Sequence, residues 1–349
     1  MYRLEFDESL CTTCPTSDCL VKCQYLAMDR DRARGEMIKI ARGEDSPVLH
    51  DCVTCYACEE YCQRGNHPFY LISERREERF IPTSPRPTMN QFIRMFEFED
   101  REAQGQYQTG PVKDRAISFC ILHEMRDAAQ GRLFDDLRSS FVAGVQFFCQ
   151  AMYLHFARPS IMKERLPRVI DNIASLGVKE LVCIHDECYG SFSSLAPAWG
   201  IKVPFTPIHY LEYMYEKLTD FKAHIKPVNL KVAFQRPCSS RLSPDKYRFV
   251  GKILDLIGAE LVERTYQEEN SLCCGPMFRM NDPGLELCDD VQTRNVDDMV
   301  ASGAEYCVFN CPACQMFLSE KVAKKGVKPI HMIELCRMAL GEKQLAEGQ

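Results

Sequence analysis

Cysteine constrains this chain more than any other residue. There are 20 in 349 residues, beside a single Trp. Eight fall in two runs, Cys11-x2-Cys14-x4-Cys19-x3-Cys23 and Cys52-x2-Cys55-x2-Cys58-x3-Cys62. Such short spacings suit chelation, in which neighbouring thiolates converge on one centre. A disulfide framework closes longer loops and belongs to short secreted chains. The sequence begins MYRLEFDESL, with three acidic residues among the first eight and no apolar h-region, so the expected location is the cytoplasm. Hydrophobic residues make up 46% and charged residues 26%, which supplies the apolar material for packed cores. The net charge of −6 carries no basic excess for a nucleic-acid partner. The longest apolar stretch, Phe141 to Ala157, is interrupted by Gln146, Gln150 and His155. It falls short of the ~20 residues a membrane span needs. It reads as a buried core segment, and any membrane attachment would run through a partner.

The spacing of the second run is similar to that of bacterial-type ferredoxins, in which three thiolates placed by one tight turn grip three irons of a cube and the fourth Cys ligates another cluster. The first run carries two extra residues before its third Cys, and Gln24 and Gln63 stand where Pro is usual. Crossed ligation assigns Cys11, Cys14, Cys19 and Cys62 to one [4Fe–4S] cubane and Cys52, Cys55, Cys58 and Cys23 to a second. Two zinc sites are the alternative, since paired CxxC motifs also suit tetrahedral Zn²⁺. The run from Ser73 to Arg79 reads as a solvated helix face.

Three regions separate by composition. Residues 1–80 hold the two quartets. Residues 81–113, with IPTSPRPT and EFEDREAQGQYQTGP and no Cys, read as a linker or wrapping arm. The rest reads as two copies of one unit, 114–228 and 229–349. Pro207-Ile208-His209-Tyr210-Leu211-Glu212 matches Pro329-Ile330-His331-Met332-Ile333-Glu334, an offset of 122. Cys120 then falls opposite Cys238, Cys149 opposite Cys273-Cys274, and the segment ending at Cys188 opposite the one ending at Cys314. Each unit has a helical run stopped at Gly177 or Gly303, then a strand-like run, Lys179 to Ile184 or Glu305 to Phe309. That alternation predicts α/β layers whose strands feed ligand loops. The repeated PIHxxE motif suggests a packing or hydrogen-bonding role for His209 and His331. Cys288, Cys307 and Cys336 lie outside the spacing and read as buried small hydrophobes.

In the second unit the pattern is Cys238-x34-Cys273-Cys274-Gly275-x35-Cys311-x2-Cys314, five thiols from three loops. Adjacent cysteines suit two neighbouring irons, and Gly275 lets the backbone turn beside them. This Cys-Cys-Gly pattern resembles the CCG cysteine-rich domain of the heterodisulfide reductases and their relatives. The resemblance implies a noncubane [4Fe–4S] cluster on Cys238, Cys273, Cys274, Cys311 and Cys314, with Cys273 and Cys274 nearest the chemistry. The whole layout is similar to the D-type fused form in that family and to glycolate and lactate oxidase iron–sulfur subunits. The implied fold class is α+β/α-β, a two-cluster ferredoxin-like domain followed by two tandem α/β CCG repeats. Met277, Phe278 and Arg279 would line an access path or pack the loop.

The first unit departs from the pattern. His185 stands where Cys311 does in the second unit, and the Cys pair is reduced to Cys149 beside Phe148 or Gln150. Cys120, Cys149, His185 and Cys188 form a Cys₃His set, which structural Zn²⁺ favours. An altered iron–sulfur site or an empty site are the alternatives, with Cys183 and His155 as substitute ligands. Asp186 reads as a carboxylate behind a ligand or as a loop residue. The expected function is an iron–sulfur electron-transfer subunit of a multi-subunit oxidoreductase, its partners a flavoprotein or further iron–sulfur subunits. No nucleotide-binding glycine fingerprint appears, so no flavin or nicotinamide site is expected on this chain. The alternatives are a thiol–disulfide or heterodisulfide reductase, with a disulfide substrate cleaved at the noncubane cluster, and a non-catalytic zinc scaffold.

Overall fold

The computed structural model describes residues 4–83, 90, 91, 93, 94, 108–122, 124–275 and 284–343. Most of the segment read as a linker, and Met277, Phe278 and Arg279, lie outside the described residues. Residues 4–83 are helical, with no strand among them. The main helices are α1 (Arg30–Ala41), α2 (Ala57–Tyr61) and α3 (Pro68–Glu78). Asp29 starts α1 by accepting the backbone N–H of Arg32 at 2.9 Å, and Pro68 opens α3 where its missing N–H costs nothing. Leu20, Ala33, Met37, Ile40, Leu49 and Ile72 form a small apolar centre bordered by cysteines. The solvated-face expectation for Ser73 to Arg79 holds only in part. Ser73 and Arg76 are both 1% exposed, and the Arg76 guanidinium donates to the Cys52 carbonyl at 2.7 Å.

Two mixed α/β layers follow. The first contains β1 (Gln108–Thr109), β2 (Arg115–Cys120), β3 (Phe141–Ala143), α4 (Pro159–Ala174), β4 (Glu180–Cys183), α5 (Asp186–Gly190), β5 (Thr206–His209) and α6 (Tyr210–Asp220). The second contains β6 (Lys231–Gln235), α7 (Arg248–Ile257), β7 (Glu260–Leu261), α8 (Gly284–Ala301), β8 (Tyr306–Phe309), α9 (Pro312–Lys324), β9 (Lys328–His331) and α10 (Met332–Ala339). The sheet orders are β1-β3-β2-β4-β5 and β7-β6-β8-β9. All pairings are parallel except β1 with β3. Without β1 the two sheets have the same order. Gln108 and Thr109 fall within the segment read as a linker, yet they extend the first sheet.

Period-two alternation explains why both faces of each sheet are covered. From β2 and β4, Ile117, Phe119 and Val182 point to one core, and Ala116, Leu181 and Cys183 to another. In the second sheet, Val232, Phe234 and Val308 join that first core, while Ala233, Cys307 and Phe309 face α8 and α9. The core containing Ile117 and Val232 is therefore shared by the two sheets, through α6, α7 and α10. Tyr56 and Phe69 of the N-terminal segment pack into the outer core of the first sheet. Cys288, Cys307 and Cys336 are buried, as expected of small hydrophobes.

In open parallel sheets, ligands sit beyond the carboxyl ends of the strands, where the order reverses. Here that point lies between β2 and β4 in one sheet, and between β6 and β8 in the other. Cys120 ends β2, and His185 and Cys188 follow β4. Cys238 follows β6, and Cys311 and Cys314 follow β8. The fold thus gathers the spaced cysteines of each layer at one end of its sheet.

Candidate metal centres

Four groups of cysteines come together. Cys11, Cys14, Cys19 and Cys62 line one cavity, with Arg34 and Asn66 on its wall. Cys23, Cys52, Cys55 and Cys58 line a second, with Cys19 and Tyr25. Chain turns set both up. Ser17, Thr54 and Tyr56 sit at positive φ, with φ of 55°, 57° and 61°, a strained conformation for residues with side chains. Backbone N–H groups then aim at sulfur: Ser17 to Cys14 at 3.3 Å, Asn66 to Cys62 at 3.3 Å, and Thr54 to Cys52 at 3.5 Å. The Asn66 side chain donates to Cys11 at 3.4 Å.

Burial raises Cys11 to about 11, and raises Cys19, Cys55 and Cys58 further. At Cys14 burial is outweighed by the donors of Ser17 and Thr16, and the thiol is held below its usual value. Without a cation most of these thiols therefore keep their protons, and a coordinating metal removes them. Two thiol-lined cavities that share Cys19, with N–H donors aimed at sulfur, fit thiolate-bound clusters.

The five cysteines of the second layer form one continuous set. Contacts run from Cys238 to Cys273, to Cys274, to Cys314 and to Cys311. Gly275, at a φ of 95° that favours glycine, directs its N–H to Cys273 Sγ at 3.4 Å. Hydrogen bonds from Cys238 and Cys274 hold Cys273 well below the usual thiol range. Cys311 is lowered to about 5 by Cys314 and, against burial, by His185. Cys273 and Cys274 are 4% and 3% exposed, so water is kept from them.

In the first layer the sulfurs of Cys120, Cys149 and Cys188 all lie within 4.8 Å of one another and are buried. Cys120 and Cys188 lower Cys149 well below its usual value. His185 stands beside these three and touches both layers. It contacts Cys149, and its Nε2 lies 3.7 Å from Cys311 Sγ. Burial opposes a charge on this ring, but Glu187 and the two cysteines raise its pKa well above the usual value. The Glu187 carboxylate is 3.7 Å from His185 Nδ1 and 3.4 Å from His155 Nε2. His155 is also held by the Thr54 hydroxyl at 3.2 Å. The Cys183 thiol contacts the Leu181 carbonyl of its own strand at 3.6 Å. Against its two substitutes, Cys183 and His155, His185 is favoured as the fourth corner by its hydrogen bond with Cys149. Three thiols and an imidazole suit tetrahedral Zn²⁺, for which His185 must give up its added proton.

Sequence reasoning missed what ties the layers together. Asp186 accepts from His209 Nε2 at 3.1 Å and from the Asn310 amide at 3.4 Å. Tyr210 donates to the Asn310 carbonyl at 2.9 Å. The loop after β4 and the loop after β8 therefore face each other, with His185 opposite Cys311. His209 and His331 each cap a helix, accepting the N–H of Leu211 at 3.2 Å and of Ile333 at 3.3 Å. The repeated PIHxxE motif was the available signal for those caps. Asn310, beside Cys311, carried no such mark.

No helix among the described residues is long and apolar enough to cross a membrane. No curated protein matches the chain. Among solved structures, a hypothetical protein from Helicobacter pylori is 12% identical with a TM-score of 0.52, covering 90% of this chain and 65% of that one. The chain thus spans under two thirds of that protein, and the likeness concerns fold alone. The aspartate racemase of Picrophilus torridus is 10% identical with a TM-score of 0.31, covering 65% of this chain and 92% of its own. That score supports no shared fold. Residues 232–319 match the model of the CCG family, described as a cysteine-rich domain.

Proposed function

We propose that the protein is an iron–sulfur electron-transfer subunit of a multi-subunit oxidoreductase, similar in arrangement to the fused heterodisulfide reductase subunits. The observation that carries this reading is the continuous set of five thiols inside the segment that matches the CCG family, placed next to a cavity lined by Cys19, Cys23, Cys52, Cys55 and Cys58. Residues 1–80 form a two-cluster domain in this reading, and 114–228 and 229–349 are copies of one α/β unit joined to it by 81–113. Cys11, Cys14, Cys19 and Cys62 would hold one cubane cluster, and Cys23, Cys52, Cys55 and Cys58 the other. Cys238, Cys273, Cys274, Cys311 and Cys314 would hold a noncubane cluster. Cys120, Cys149, His185 and Cys188 would hold zinc.

Bound iron–sulfur groups supply one-electron chemistry; the chain supplies spacing, dryness and charge. The N–H groups of Ser17, Thr54, Asn66 and Gly275 stabilise negative charge on sulfur, which favours a reduced centre. Burial of Cys273 and Cys274 acts in the opposite direction. Glu187 would orient His185 as a zinc ligand from behind. The partners in this reading are a flavoprotein or further iron–sulfur subunits.

The test is iron, sulfide and zinc per chain on anaerobically purified protein, with EPR of reduced and oxidised samples. Roughly twelve irons and one zinc are expected from two cubanes, one noncubane cluster and a Cys₃His site. About eight irons and no unusual signal would remove the noncubane cluster, and colourless protein rich in zinc would remove the electron-transfer reading altogether.

A further inference from the structure

Tyr25 belongs to two sites at once. It lines the cavity of Cys23, Cys52, Cys55 and Cys58. Its hydroxyl accepts the backbone N–H of Cys273 at 3.0 Å, across 248 residues of sequence. Around it, Val53, Leu272 and Cys273 form one apolar cluster on which Tyr25 and Cys55 pack. Arg241 lies alongside with its side chain 1% exposed. Its Nη2 donates to the carbonyls of Glu269 and Ser271 at 3.0 and 3.1 Å. Cys55, Tyr61 and Tyr25 are among its electrostatic neighbours.

The charges here do not balance within the protein alone. Glu60 serves Arg236 at 2.9 Å and Arg241 at 3.3 Å, and both guanidiniums are buried. Two cations share one carboxylate, which leaves one surplus positive charge in the interior. An uncompensated buried charge is costly. Besides Glu60, the Cys55 thiol and the Tyr25 and Tyr61 phenols lie beside Arg241 and can carry negative charge. A cysteine-ligated cluster is anionic, so the surplus charge is matched when such a group is bound on Cys55.

We propose that Tyr25 and Arg241 are positioning residues that join the Cys23, Cys52, Cys55, Cys58 site to the five-cysteine site and raise the reduction potentials of the groups held there. This rests on the iron–sulfur reading of both sites. One electron crossing the junction leaves one centre oxidised and the other reduced by one unit; no bond forms and no proton moves. Arg241 favours the added electron by its charge. Tyr25 fixes the Cys273 backbone against the neighbouring site and fills the gap between them.

The full chain, purified anaerobically and assayed for iron, is compared with Arg241→Gln, Arg241→Lys and Tyr25→Phe by EPR-monitored potentiometric titration. Freeze-quench samples after dithionite addition follow how fast the signals equilibrate. Arg241→Gln is expected to disfavour reduction about tenfold, which is ~59 mV for a one-electron couple. Arg241→Lys should restore most of that shift. Tyr25→Phe keeps the ring and its packing, and should slow equilibration between the two signals by about tenfold or more. Iron-replete Arg241→Gln with unchanged midpoints would overturn the proposal. If that variant loses its iron, Tyr25→Phe decides: unchanged equilibration overturns the proposal and slowed equilibration supports it. A wild-type chain without iron–sulfur signals would overturn the underlying reading, and this inference with it.

Discussion

His331 is 2% exposed, and its Nδ1 accepts the N–H of Ile333 to start α10. That bond requires the neutral ring with its proton on Nε2, so protonation at Nδ1 breaks the cap. Burial pushes its pKa down to about 4, with Glu334 and the hydrogen bond to the Asn310 backbone pulling the other way. The unfolded chain, titrating near 6.5, then takes up a proton before the native protein does. The contribution of His331 to stability is complete above about 6.5 and is lost as pH falls toward 4, a total of about 3 kcal/mol. His331→Asn keeps a capping oxygen and removes the titration. Urea unfolding at pH 8 and pH 5.5 should show the wild type losing about 1 kcal/mol more than this variant. Equal losses would mean the ring is not held neutral. At this scale the sequence was partly legible. The repeated motif pointed to a shared role for His209 and His331, and the structure gives both a cap. Arg76 was not legible, because its neighbours Glu74, Arg75, Glu77, Glu78 and Arg79 make the run look uniformly solvated, and only tertiary packing turns that one guanidinium inward to Cys52.

At the scale of elements, α5 carries Cys188 and must lie close to the turn that carries Cys238. The contact is made at Gly190, where an added Cβ would stand 2.7 Å from Leu242 Cβ. Gly190 has ordinary helical dihedrals, so its small size is what the contact needs, not its conformational freedom. Gly190→Ala should therefore destabilise by about 1–3 kcal/mol through overpacking, less about 1 kcal/mol regained in helix propensity. Adding Leu242→Ala should recover part of the overpacking loss, since the clash is with that side chain. The check is the shift of the urea midpoint for the single and double variants; a stabilised single variant would show that the two elements do not need this approach. Two of the strands, β4 and β8, were legible. Lys179 to Ile184 and Glu305 to Phe309 enclose β4 and β8, because continuous apolar runs after a glycine stop leave few other readings. The short strands β1, β3 and β7 were not, since two or three residues leave no period to read.

At the scale of the molecule, the N-terminal segment docks on both layers through pairs that no local pattern reveals. Tyr61 donates to the Glu269 carbonyl at 2.7 Å, Thr54 meets His155, and Ser160 N–H donates to Glu77 at 3.0 Å. These partners lie 83 to 208 residues apart, so the spacing of the cysteines was legible in the sequence while the docking was not. The two parts also differ in what holds them together. The sheets share an apolar core to which both contribute strands and helices, and that core contains no proposed ligand. Residues 4–83 have a small core whose border is cysteine, around two thiol-lined cavities. Metal binding to such a segment is folding free energy. Stripping iron under oxidising conditions with a chelator should therefore release residues 11–62 first. Hydrogen exchange of their amides should rise by about a hundredfold or more, roughly 3 kcal/mol, while amides of β2, β4, β6 and β8 keep their protection. Equal protection of residues 11–62 with and without iron would show that packing against the sheets, and not metal, holds the N-terminal segment. Uniform loss across all four strands would show instead that the chain folds as one cooperative unit around its metal centres.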